Sequence, residues 1–168
     1  MANEVRVGIG DLNVVENPGK IMTIGLGSCI GIFLYDRRIK VGGLSHIMLP
    51  DSTQFSTVTN PMKFADLAIP MLLKKMQDMG CFKNNIVAKI AGGASMFKFG
   101  GSSASSDIGR RNCEMVKHIL KDKECIPILS EETGGNKGRT MIANAEDGTV
   151  TIKVIGQEAF TIWEVIIC

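Results

Sequence analysis

The chain has 168 residues, enough for one domain of ordinary size, and its 45% hydrophobic and 21% charged side chains describe a soluble globule, not a disordered or disulfide-dense chain. Its 19 Lys and Arg against 17 Asp and Glu leave a net charge of +2, too weak and unclustered for nucleic acid or an anionic membrane surface to be the expected partner. The five cysteines, at 29, 81, 113, 125 and 168, form neither a disulfide ladder nor a CxxC metal knuckle, so a reducing compartment is expected and no metal or organic cofactor.

Along the chain, the first residues carry Glu4, Arg6 and Asp11 and do not resemble a secretion signal. The charge-free run Ile21–Tyr35 is shorter than the ~20 apolar residues that span a bilayer, so membrane insertion is not expected. Short β-branched runs beside glycine clusters predict strands at Val5–Ile9, Lys20–Ile24, Ile30–Tyr35 and Val41–Met48. A helix follows, with Asn60 as N-cap, Pro61 in its first position and Gly80 just past its end; Met62, Ala65, Ile69, Leu72, Leu73 and Met76 form its apolar stripe. Pro70 should kink it, at a cost of ~3 kcal/mol. After a strand at Ile86–Ala91 and a flexible loop at Gly100–Ser106, a second helix runs from the cap Asp107 to about Lys123, with Ile108, Val116, Ile119 and Leu120 inward and Asn112 and Cys113 on the same face. Strands at Ile126–Ser130, Thr140–Asn144, Val150–Val154 and Thr161–Ile167 complete the list. Two helices among eight or nine short strands predict an α/β (α+β) fold, a single layered sandwich domain over residues 1–168 with helices packed on mixed β-sheets.

The candidate chemistry rests on five thiols and two histidines. Cys113 lies on an inward helix face, Cys81 follows a helix end, Cys125 precedes a strand and Cys168 ends the chain; each reads as structural or incidental. Cys29 follows Gly25-Leu26-Gly27-Ser28 between two strands. Glycines there free several N–H groups to point into one concavity, which would lower the thiol pKa and form an oxyanion hole; a tight turn with a half-buried thiol explains the string equally well. GLGSCI is not a dinucleotide fingerprint, because Ile30 replaces the third glycine and no helix follows. Of the histidines, His118 sits on a lysine-rich outer helix face, which leaves His46, in an apolar strand, as the preferred partner of Cys29. Thr23, Ser45 and Ser28 are all candidates to orient its ring. Gly27, Ser28 and Ser45 complete the candidate site as oxyanion- or substrate-binding residues.

Five strings, in order, carry a resemblance: Thr23-Ile24-Gly25-Leu26-Gly27-Ser28-Cys29, Ser45-His46-Ile47-Met48-Leu49-Pro50-Asp51, Lys89-Ile90-Ala91-Gly92-Gly93-Ala94-Ser95-Met96-Phe97, Ile108-Gly109-Arg110-Arg111-Asn112 and Thr133-Gly134-Gly135-Asn136. They resemble the chemoreceptor glutamine deamidases known as CheD over nearly the whole chain. The resemblance implies a cytoplasmic hydrolase that converts selected glutamines of methyl-accepting chemotaxis receptors to glutamate, with a Cys29–His46–Thr23 catalytic site and a fold similar to that of deamidating bacterial toxins. It also implies a CheC-type phosphatase as binding partner. Two other readings stand beside it: a regulatory module that mainly docks and stimulates that phosphatase, and a cysteine protease or other amidohydrolase using the same pair.

Overall fold

The computed structural model describes residues 3–95 and 107–164. The Gly100–Ser106 loop, Met96 and Phe97 of the third string, and the end of the chain from Val165 onward lie outside the described residues. The elements are β1 (Asn3–Arg6), β2 (Asp11–Glu16), β3 (Gly19–Leu26), β4 (Ile30–Asp36), β5 (Val41–Ile47), α1 (Ala65–Asp78), β6 (Ile86–Gly92), α2 (Ile108–His118), β7 (Ile128–Thr133), β8 (Arg139–Asn144), β9 (Val150–Val154) and β10 (Phe160–Ile162).

The strands form two five-stranded sheets, ordered β1-β3-β8-β9-β10 and β2-β5-β4-β6-β7. Both are mixed: β1 runs parallel to β3 and β6 to β7, while the other neighbours are antiparallel. The second sheet is the middle layer. On one face Phe33, Tyr35 and Leu44 meet Ile21, Leu26, Met141 and Ile152 of the first sheet. On the other, Ile30, Ile32 and Leu34 meet Ala68, Ile69, Leu72 and Met76 of α1 and Val116 of α2. A strand covered on both faces reads as a near-continuous apolar run, and β4, buried at every position, is apolar or aromatic from Ile30 to Tyr35 and ends on Asp36, whose buried carboxylate accepts from Arg38 and Phe82 N–H. The result is the layered α+β arrangement that the mix of elements predicts.

Several boundaries differ from the expectations, for physical reasons. The strand expected at Val5–Ile9 ends at Arg6, ahead of the turn at Ile9 and Gly10 (φ +69°), and β2, unforeseen, pairs antiparallel with β5. Asn60 caps only a single turn at Pro61–Lys63, accepting a hydrogen bond from Met62 N–H at 3.0 Å. The segment after β5 docks there: Met48 and Leu49 N–H donate to the Lys63 carbonyl and Ala65 N–H to the Leu49 carbonyl, which holds Phe64 extended and delays α1 to Ala65. α1 then passes through exposed Pro70 without a break. Asp107 precedes α2, but its carboxylate is turned to Arg110 and caps no N–H; the helix continues after His118 as one wide turn closed by Glu124 N–H on the Ile119 carbonyl, 2.9 Å.

Candidate active site

Both sheets contribute to one constellation on their facing sides. Strand alternation points Ile21 and Thr23 of β3 inward, and Gly42, Leu44 and His46 of β5 toward them. Between β3 and β4 the chain crosses from one sheet to the other through Gly27, Ser28 and Cys29. His46 is paired with Gly31 of β4. Cys29, just ahead of β4, packs against the same inter-sheet core that His46 faces. Gly31 leaves the space there to its neighbours: a Cβ would stand 2.8 Å from Met141 Sδ and 3.0 Å from Leu26 Cδ1, and these side-chain ends would have to shift.

The hydrogen bonds fix the state of the imidazole. Thr23 Oγ1 donates its one proton to the Val7 carbonyl at 2.7 Å and lies 2.6 Å from His46 Nδ1. With its proton committed, the hydroxyl can only accept, so Nδ1 carries the hydrogen and Nε2 presents a lone pair. Among the described residues Nε2 has no hydrogen-bond partner and is sealed from water. Burial lowers the His46 pKa from 6.5 to about 4, which keeps the ring neutral near neutral pH. Burial also raises the Cys29 pKa; the opposing pull of its own backbone N–H is the smaller effect. The depressed thiol expected from the glycine-rich turn is therefore reversed: desolvation outweighs the local N–H groups. Both shifts favour a thiol and a neutral imidazole over an ion pair.

The turn carrying Cys29 is held by all three of its carbonyls. Ala94 N–H donates to Gly27 O at 2.8 Å, Gly93 N–H to Cys29 O at 2.9 Å, and Asn112 Nδ2 to Ser28 O at 2.9 Å. The approach is so close that a Cβ on Gly92 (φ +114°) would collide with the Cys29 carbonyl oxygen. In a trans peptide the N–H points opposite to the preceding C=O. Anchoring the Gly27 and Ser28 carbonyls thus turns the Ser28 and Cys29 N–H groups away from the anchors.

The other expected site residues are placed less favourably. Gly27 N–H is taken by Gly25 O at 3.1 Å, so it is not available as an oxyanion donor. Ser45 is buried, but it pairs with Leu12 and Ile32 and so faces the helices, the opposite side of β5 from His46. A period of two forbids adjacent residues from sharing a face, and the substrate-binding role expected for Ser45 does not fit that position. His118 is exposed and 2.8 Å from Asp122. Cys113 is half-buried and Cys81 buried, both packed in the helical core and not in the inter-sheet one, and Cys125 is exposed. Among the described residues no three His, Cys, Asp or Glu side chains are grouped to hold a metal ion, and no helix is long and apolar enough to cross a membrane.

Comparison with known proteins adds a second line of observation. The family model described as "CheD chemotactic sensory transduction" matches residues 48–154, well over half the chain. The chain belongs to the CheD family. Curated relatives named "Probable chemoreceptor glutamine deamidase CheD" include one from Clostridium botulinum (strain Alaska E43 / Type E3), 68% identical over 153 residues, covering 91% of this chain and 94% of its own. Those from Clostridium novyi (strain NT) and Clostridium acetobutylicum (strain ATCC 824) are 63% and 61% identical, over 92% and 91% of this chain and 94% and 92% of theirs. An alignment of 153 out of 168 residues spans Thr23, Cys29 and His46 wherever it begins. Four of the strings that carry the resemblance to CheD converge on this site: the first brings Thr23 and Cys29, the second His46, the third the N–H donors of Gly93 and Ala94, the fourth Asn112.

Proposed function

We propose that this chain hydrolyses glutamine side chains of methyl-accepting chemotaxis receptors to glutamate, releasing ammonia, with Cys29 as nucleophile, His46 as proton carrier and Thr23 as the group that orients His46. The observation that supports this most is the neutral His46, its Nδ1 held by Thr23 and its Nε2 unpartnered, on the same face as Cys29. High identity to proteins named chemoreceptor glutamine deamidase supplies the substrate class.

The chemistry follows from the protonation states. Because the thiol pKa is raised and the imidazole pKa lowered, attack on the carboxamide carbon is coupled to transfer of the Sγ proton to Nε2. The oxyanion that forms is held by Ser28 and Cys29 N–H. As the tetrahedral adduct collapses, the C–N bond breaks and Nε2 returns its proton to the leaving nitrogen as ammonia. Water then enters, Nε2 takes one of its protons, hydroxide adds to the thioester carbonyl, and the C–S bond breaks. Nε2 returns that proton to Sγ, the thiol is restored and a glutamate side chain is left. Throughout, Nδ1–H keeps its bond to the neutral Thr23 oxygen, a weaker stabiliser of imidazolium than a carboxylate.

Four free thiols among the described residues support a reducing, cytoplasmic location. Membership of the CheD family supports a CheC-type phosphatase as a second partner, read by pull-down from the purified pair. Ammonia release from a receptor cytoplasmic fragment tests the activity. It should be lost in Cys29→Ala, and release by that variant at the wild-type rate would contradict the nucleophile assignment.

A further inference from the structure

Asn112 is fully buried on α2, yet its amide is spent on two loops far away in sequence. Nδ2 donates to Ser28 O and to Met48 O, each at 2.9 Å. Ser28 directly precedes Cys29, and Met48 lies two residues after His46. One NH₂ group therefore ties the turn bearing the thiol to the end of the strand bearing the imidazole. The amide oxygen gains nothing from this position, since Oδ1 is buried and has no partner among the described residues. Burying an unpaired amide acceptor costs about 1–3 kcal/mol. An apolar side chain would avoid that cost; what it could not do is donate twice.

The geometry points to Asn112 as the positioning residue of the active site, setting the separation of Cys29 and His46 and the direction of the Cys29 N–H. It rests on the assignment of Cys29 and His46 above. The second half of the statement follows from peptide planarity: the Ser28 carbonyl and the Cys29 N–H belong to one peptide unit, so fixing the oxygen on Asn112 aims the N–H oppositely. α2 is the right place for such a tie, because it packs over the strand ends; Gly109, one turn earlier, lies so close to the Gly93 and Ala94 carbonyls that a Cβ would be 2.7 and 2.5 Å from their oxygens. Asn112 touches no reacting atom, and its effect is transmitted through the two loops.

Two variants separate donation from packing. Asn112→Asp keeps the shape and loses the NH₂; Asn112→Gln keeps the NH₂ and changes the shape. Steady-state ammonia release from a receptor cytoplasmic fragment is measured for both, with thermal unfolding to establish folding and Cys29→Ala in parallel. Positioning through donation predicts kcat lower by about 100-fold in Asn112→Asp with KM unchanged, and Asn112→Gln more active than Asn112→Asp. Asn112→Leu, which adds no buried charge, takes the place of the aspartate variant if that one does not fold. Wild-type kcat in Asn112→Asp or Asn112→Leu, or Asn112→Gln less active than Asn112→Asp, overturns the positioning role while a dead Cys29→Ala leaves the nucleophile standing. Full activity in Cys29→Ala overturns both.

Discussion

Replacing Thr23 by Val removes one oxygen at nearly constant shape and tests the imidazole's tautomer. Two bonds go at once, Nδ1–H to Oγ1 (2.6 Å) and Oγ1–H to the Val7 carbonyl (2.7 Å), in a place where Thr23 is 1% and His46 0% exposed. Each orphaned group costs about 1–3 kcal/mol, so the variant should unfold at lower urea, with a loss of about 2–6 kcal/mol. The ring can shed part of that cost by moving its hydrogen to Nε2. That same move removes the lone pair needed to accept the Cys29 proton. A penalty of about 1–3 kcal/mol on the Nδ1–H form depletes it roughly fivefold to 150-fold, and kcat for ammonia release should fall by the same factor. Thr23→Ser keeps the hydroxyl and should retain most of both stability and kcat. The reasoning is refuted if Thr23→Val turns over at the wild-type rate, or if Thr23→Ser is as impaired as Thr23→Val.

Because burial raises the Cys29 pKa, its alkylation by iodoacetamide, followed by peptide mass spectrometry, should keep accelerating with pH up to and beyond the ordinary thiol value of 9; a rate already level at about pH 6 would indicate a resting ion pair instead. His46 has a folded pKa of about 4, below its unfolded 6.5, so the unfolded chain binds the extra proton first. Its contribution to stability is complete above pH 6.5 and declines as pH falls toward 4, by about 3 kcal/mol in total, a slope that urea titrations should show in the wild type and not in His46→Gln. Gly92→Ala combines a positive φ with a collision against the Cys29 carbonyl. It should cost at least about 1–3 kcal/mol from the backbone alone and abolish ammonia release, and an active, fully stable Gly92→Ala would show that the turn is not clamped as described.

The parts of this site that were readable from sequence are those governed by local rules. Glycines around Cys29 announce a turn, and an apolar strand around a lone His46 marks it as interior; both are properties of a few adjacent residues. Strand β2 is not legible because Asp11-Leu12-Asn13-Val14-Val15-Glu16 alternates poorly and owes its existence to β5, whose edge it completes. The direction of the thiol pKa is illegible for a related reason: the N–H groups that would lower it are local, whereas the burial that raises it comes from the inter-sheet core against which Cys29 packs. Asn112 was legible as a polar residue on an inward helix face, but its acceptors lie 64 and 84 residues away, and no periodicity reports such a distance. The orientation of Ser45 is legible in the sequence, since adjacent strand residues face opposite ways and Ser45 stands next to His46.

The central claim is tested most directly by mass spectrometry of a receptor cytoplasmic fragment incubated with the wild-type protein and with Cys29→Ala. The account predicts that discrete glutamines gain about one mass unit, as amide becomes acid, with the receptor chain uncut and only in the wild-type reaction. An unchanged fragment, a cleaved one, or the same gain with Cys29→Ala would contradict it.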